Sequence, residues 1–145
     1  MRLWHKDLLP FLPRQQLLSQ LRECVAIAKD IHEKGTTNHI LINKIMNYPL
    51  EHFQMYCNDV ISEMESRGYN VSDKTKDKLS IYLSYNCAMP FQDEKDILIR
   101  NNLFSERHND RYLRQCLMNL QEKYDCGGVP KDEWDLIVIT FEKYL

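Results

Sequence analysis

The residues best suited to chemistry lie on one polar face of a predicted helix near the start of the chain. At about 100° per residue, Glu23 points roughly opposite the apolar stripe of this helix. Gln16 and Ser19 fall on the same side, and Arg22 is the neighbour of Glu23. A carboxylate in this setting can transfer protons, and a guanidinium can hold an anion. A glutamate on such a face is more often a solvated surface residue, so the pattern alone leaves both interpretations open.

The charge around this face is locally basic, although the whole chain carries a formal charge of -2. Residues 1–47 contain seven Lys and Arg against four Asp and Glu. The excess of basic residues across a whole domain that is usual for a DNA-binding protein is therefore missing. The local excess is compatible with one basic face on an acidic body.

The cysteines and histidines give no indication of a metal site. The five cysteines are odd in number and scattered, without a Cys-x-x-Cys pair or a zinc-like Cys/His spacing. We expect reduced thiols packed mostly in the core, and neither metal nor cofactor. No apolar stretch approaches the roughly 18 residues of a membrane helix, and residues 1–7 lack the apolar region of a secretory signal. These features predict a cytoplasmic protein without membrane contact.

Helical periodicity dominates the first half of the chain. The stripe of the first long helix recurs at three- and four-residue steps, and the helix should end near Gly35. Its members are Leu17, Leu21, Val25, Ala28 and His32. Residues 36–38 offer cap chemistry for a shorter helix over 40–46, which residues 47–49 should interrupt. A third helix should run from Leu50 to Met64, with Gly68 as a left-handed cap.

The second half also favours helices. Ser72 and Asp73 can cap a helix with an apolar run at 79–83, followed by a loop over 86–91 and a short helix over 93–101. A long helix should begin near Ser105 and stop at residues 127–128, and Pro130 should open the last one. Residues 136–140 are β-branched enough to be a strand instead. With four glycines and no strong hairpin signal, the sequence predicts an all-α fold: one compact helical bundle over 1–145.

Four short motifs stand in the order typical of one enzyme family. They are Met1-Arg2-Leu3-Trp4, Leu21-Arg22-Glu23, Asn38-His39 and Arg67-Gly68-Tyr69-Asn70. With them the chain resembles the pyrimidine-dimer DNA glycosylase and AP-lyase family. The resemblance covers residues 1–72, the expected catalytic segment. Residues 73–145, the helical second half of the same domain, look like those of longer cellular relatives.

The resemblance implies a DNA-repair glycosylase and β-lyase that acts on damaged double-stranded DNA, at pyrimidine dimers or abasic sites. In such an enzyme the α-amine of Met1 attacks C1′ of the damaged nucleotide and forms a Schiff base, and Glu23 assists the proton transfers. An α-amine, with a reference pKa of about 7.7–8.0, leaves a usable neutral fraction at pH 7, unlike a lysine near 10.4. The bulky Arg2 should prevent removal of Met1.

The resemblance also implies a set of DNA contacts. Arg2 and Arg22 would hold phosphates or stabilise developing charge. His39 would be a further contact, and so would Gln16, which stands where phage members of the family carry a histidine. Burial of the large Trp4 side chain should fix the N-terminus against the bundle. We therefore expect the Met1 amine within a few ångströms of the Glu23 carboxylate.

Two alternatives remain from the sequence. The chain could be a non-catalytic helical module that keeps the scaffold and binds a protein partner, or an enzyme of single-stranded or abasic nucleic acid. The enzyme needs a free terminus, Glu23 and a basic rim together, whereas the module needs only an exposed apolar patch. A monomer is favoured in either case.

Overall fold

A computed structural model of the protein describes residues 1–85, 87 and 94–145. Every regular element in these ranges is a helix, which confirms the predicted all-α fold. The α-helices are α1 (Arg14–Lys34), α2 (Ile40–Asn43), α3 (Leu50–Ser66), α4 (Asp73–Leu83), α5 (Glu94–Asn101), α6 (Asp110–Asp125) and α7 (Lys131–Thr140). Short 3-10 helices cover Lys6–Phe11, Lys44–Asn47 and Glu142–Tyr144.

The first long helix ends where the sequence predicted, but its buried face is turned from the predicted stripe. Gly35 adopts a left-handed conformation with φ 73°, and its N–H donates to the Ile31 carbonyl. His32 is exposed, and Val25 is only half-buried. The face that is buried carries Leu17, Gln20, Leu21, Cys24, Ile27 and Ala28. The face is turned because α1 packs against both α3 and α4.

The predicted capping of α2 by residues 36–38 is wrong. The N-cap residue is His39, whose side chain makes no capping bond. The Asn43 side chain folds back instead, and its Oδ1 accepts hydrogen bonds from the N–H and the hydroxyl of Thr37 at 3.0 and 2.8 Å. The helix makes one turn, tightens into the 3-10 turn and stops before Pro49, as predicted.

α3 and α4 follow the sequence closely. Gly68 has φ 82° after the end of α3, and the Ser72 hydroxyl caps α4 by accepting from the N–H of Thr75. Within the apolar run at 79–83, Leu79 and Leu83 are buried, whereas Ile81 is 65% exposed. Of the predicted loop over 86–91, only Cys87 lies within the described residues, in a turn.

The helices of the second half begin and end near the predicted residues, with one shift. α5 starts at Glu94, and Asp93 lies outside the described residues. α6 begins at Asp110 and not near Ser105, because Phe104 adopts a left-handed φ of 47° and the Asn109 side chain caps the helix by accepting from the Tyr112 N–H. Residues 136–140 are helical, so the strand alternative is wrong.

One hydrophobic core joins the two halves of the chain. Leu8 and Leu17 from the first half and Phe104 and Leu117 from the second are fully buried in it. Three of the five free cysteines, Cys24, Cys57 and Cys116, are buried there, while Cys87 is half-buried and Cys126 exposed. Among the described residues, no helix has both the length and the apolar character that crossing a membrane requires.

Candidate active site

The N-terminal segment, residues 1–5, has no regular structure and is held against the bundle by side chains from three helices. From α3, the Tyr56 hydroxyl donates to the Trp4 carbonyl at 2.6 Å. From α6, the Tyr112 hydroxyl donates to the Leu3 carbonyl. Trp4 is buried, as its size predicted. The segment is therefore fixed at Leu3 and Trp4. Its first residue, Met1, is 46% exposed.

Gln20 of α1 completes this attachment and links it to the polar face of the same helix. Its side chain is fully buried. Its Oε1 accepts from the Trp4 N–H at 2.8 Å and lies 2.9 Å from the Tyr56 hydroxyl. Its Nε2 donates to the Arg2 carbonyl at 3.0 Å and to Glu23 Oε2 at 3.2 Å. The half-buried Glu23 carboxylate thus shares one donor with the backbone next to Met1.

The Arg2 side chain turns toward the second half of the chain. Its guanidinium lies over the rings of Trp4 and Tyr112, 5.7 and 5.8 Å from their centroids. One of its nitrogens donates to Cys116 Sγ at 3.7 Å. Arg2 is half-buried, and no ion pair within the described ranges includes it.

Arg22 is exposed on α1, where its guanidinium donates to the Ser19 hydroxyl at 3.0 Å. It lines an open cleft of about 220 Å³ between α1 and α4, to which Lys78 adds a second cation. The other residues that line the cleft are Leu21, Val25 and Thr75, so Arg2 is not among them.

The two remaining predicted site residues differ in their surroundings. Gln16 is half-buried on α1, one turn before Gln20, and its Oε1 is buried without a hydrogen-bond partner. His39 is exposed beyond the far end of α1, and its N–H donates to the Thr37 hydroxyl. No hydrogen bond or ring contact in the described part of the chain connects His39 with Glu23.

The buried groups around the N-terminal segment are neutral. Burial raises the pKa of Tyr56 and of the Cys116 thiol, so the hydroxyl serves as a hydrogen-bond donor and the thiol is not an activated nucleophile. Burial lowers the pKa of His108 to about 2, and its Nδ1 accepts from the Lys6 N–H. Burial also lowers the pKa of His5, which stacks on His108. These side chains therefore act near the segment as neutral hydrogen-bond and packing partners.

Sequence reasoning missed Gln20, Tyr56 and Tyr112. Gln20 sits among apolar neighbours at helical spacing from Leu17 and Cys24, and this position was the available signal. The two tyrosines carried no signal, because their partners are backbone carbonyls 52 and 109 residues away.

The motif around Arg67 has a structural role that its sequence did not reveal. The Arg67 guanidinium donates to the carbonyls of Leu9, Pro10 and Leu12 and pairs with Glu63 at 2.7 Å. It thereby fixes the turn that follows the N-terminal segment.

The described residues contain no group of three His, Cys, Asp or Glu side chains that could hold a metal ion.

Comparisons with known proteins identify the family. No curated protein and no solved structure matches the chain. A family model described as pyrimidine dimer DNA glycosylase matches residues 1–77, which include the N-terminal segment, α1 and α3. With this match over more than half of its length, the chain belongs to the pyrimidine dimer DNA glycosylase family.

Proposed function

We propose that this DNA glycosylase works through a Schiff base formed by the α-amine of Met1, with Glu23 as the acid and base, and that it also cleaves the abasic site. The observation that carries the proposal is the double hydrogen bond of Gln20 Nε2, to the Arg2 carbonyl and to the Glu23 carboxylate. Proximity of an amine and a proton acceptor is what the chemistry needs, because both act at one reacting carbon.

In the proposed reaction the neutral amine attacks C1′ and the bond from C1′ to the base breaks. The amine proton passes to Glu23, and the departing base takes up a proton. The C1′–O4′ bond of the sugar then opens, O4′ takes up a proton, and the amine nitrogen and C1′ form an iminium. The iminium acidifies the C2′ hydrogen, so that removal of this proton expels the 3′ phosphate in a β-elimination. Glu23 serves as the proton carrier in these steps, a role usually worth about 10²–10⁴-fold in rate.

The proposed DNA contacts are Arg2, Arg22, Gln16 and His39. Arg2 and Arg22 carry no ion pair within the described residues, which leaves their charge available for phosphates. The buried Gln16 Oε1 without a partner supports a ligand that donates a hydrogen bond, since a buried acceptor is costly to leave unpaired. The exposed His39 would contact the duplex farther from the reacting carbon.

We also propose that residues 1–145 act as one monomeric domain on double-stranded damaged DNA in the cytoplasm. The common core of the two halves supports a single domain. Free buried thiols support a reducing compartment.

Borohydride trapping tests the proposal. The native chain should give a covalent adduct with duplexes that carry either a cyclobutane dimer or an abasic site, and peptide mapping should locate the adduct on Met1. The N-terminally acetylated chain should give none. Glu23→Gln should bind the duplex like the native chain and turn over about 10²–10⁴-fold more slowly.

The contrary outcomes are distinct. An adduct that survives acetylation would move the nucleophile to a lysine, with Lys6 and Lys44 tested first. Unchanged turnover in Glu23→Gln would show that Glu23 is a solvated residue without a role in the reaction. Absence of both adduct and DNA binding would favour the non-catalytic module with a protein partner. An adduct with the abasic duplex alone would restrict the substrate to abasic sites.

A further inference from the structure

Two arginines from opposite halves of the chain share one aromatic ring beside the N-terminal segment. The Arg107 guanidinium lies 5.0 Å from the centroid of the Tyr112 ring, and the Arg2 guanidinium lies 5.8 Å from the same centroid. Tyr112 is itself buried and bonded to the Leu3 carbonyl, so the ring is a fixed support. Arg107 belongs to the part of the chain beyond the family match.

Within the described residues, neither guanidinium forms an ion pair with a carboxylate. Arg67 and Arg100 pair with Glu63 and Asp59, whereas none of the ion pairs in the described part of the chain includes Arg2 or Arg107. Two cations that lie over one ring and form no ion pair produce a local positive potential, which attracts an anion.

Arg107 also connects the ring to a second open surface. Together with Lys44 it lines a cleft of about 220 Å³. Asn47, Tyr48 and Glu106 line the rest of this cleft, so its charged groups are two cations and one carboxylate. The Arg107 N–H donates to the Tyr48 hydroxyl at 3.1 Å, which anchors the backbone of Arg107 to the first half of the chain.

A guanidinium that lies against an aromatic face keeps its N–H donors while losing much of its rotational freedom. Such an arginine binds a phosphate with less ordering cost than a free one. We infer that Arg107, together with Arg2 and Lys44, binds the phosphodiester backbone of the DNA beside the reacting nucleotide. This inference rests on the proposed function and extends its DNA surface to residues that the family segment does not contain.

The salt dependence of binding tests the inference. The probe is a duplex with a tetrahydrofuran abasic-site analogue, and anisotropy gives the affinity between 50 and 200 mM salt. Arg107→Gln should weaken binding about tenfold at the middle of this range, as expected for loss of one charged contact. It should reduce the slope of log K against log salt by about 0.9. Arg107→Lys, which keeps the charge, should restore most of the slope.

Arg114→Gln is the matched control, because the Arg114 guanidinium also lies over a tyrosine ring, that of Tyr144, at 5.6 Å. It should leave the slope within error of wild type, and thermal unfolding should show that all variants are folded. Equal losses in the Arg107 and Arg114 variants, or no loss in either, would overturn the inference while trapping of the wild type upholds the proposed function. A wild type that neither binds nor is trapped would overturn both.

Discussion

Replacing Gln20 with methionine removes the buried amide that connects the N-terminal segment to α1 while nearly preserving the volume of the side chain. Three hydrogen bonds disappear in this variant, together with the 2.9 Å contact between Gln20 Oε1 and the Tyr56 hydroxyl. The loss in the free energy of unfolding should nevertheless correspond to a single buried polar group without a hydrogen-bond partner, because the other partners of Gln20 keep or can replace their hydrogen bonds.

The Tyr56 hydroxyl still donates to the Trp4 carbonyl, and the half-buried Arg2 carbonyl and Glu23 carboxylate can accept from water. Only the Trp4 N–H is left as a buried donor without an acceptor. A group of this kind costs about 1–3 kcal/mol. We therefore expect Gln20→Met to lower the free energy of unfolding by about 1–3 kcal/mol.

Urea unfolding followed by far-UV circular dichroism measures this loss, and Gln16→Met is the control. Gln16 lies one turn earlier on the same helix, and its buried Oε1 has no partner to lose. That variant should stay within about 0.5 kcal/mol of wild type or exceed it. Equal destabilisation by the two substitutions would refute the reasoning, because helix position and not hydrogen bonding would then set the cost.

Two further predictions concern stability. Burial holds the pKa of His108 near 2, below the value of about 6.5 that an unfolded histidine has, so the folded state loses stability as pH falls below 6.5. His108→Asn, whose Oδ1 can still accept the Lys6 N–H, should remove about 1.4 kcal/mol of the stability difference between pH 7.5 and 5.5. Arg67→Lys should lower the free energy of unfolding by about 1–3 kcal/mol, because an ammonium cannot reach three carbonyls and Glu63 in the geometry of the guanidinium. A melting temperature of Arg67→Lys equal to that of wild type would contradict this role.

The helices were predictable because their signals are local. Gly35 and Gly68 end α1 and α3 through left-handed conformations, and Ser72 caps α4 through its neighbour three residues on. The start of α6 was not predictable, because the left-handed Phe104 has no glycine to mark it and its ring is fixed by burial in the core. Local sequence signals therefore predict the helices but not the residue at which every helix begins.

The candidate site was predictable only in part. Glu23 and Arg22 stand out on a polar helix face, and the family motifs single out Met1 and Arg2. Gln20 was missed because apolar periodicity assigns polar residues to the surface. Its burial is stabilised by backbone groups of a segment that is remote in sequence.

The attachment of the N-terminal segment has a consequence for the order in which the proposed site forms. Leu3 is synthesised well before Tyr112, whose hydroxyl holds the Leu3 carbonyl and which lies 109 residues later. Contacts of such long sequence separation form late, after the intervening chain has folded. A nascent chain therefore carries residues 1–5 long before the contacts that hold them can form. Under the proposed function, the Met1 amine acquires its position only when the second half of the protein has been synthesised and packed.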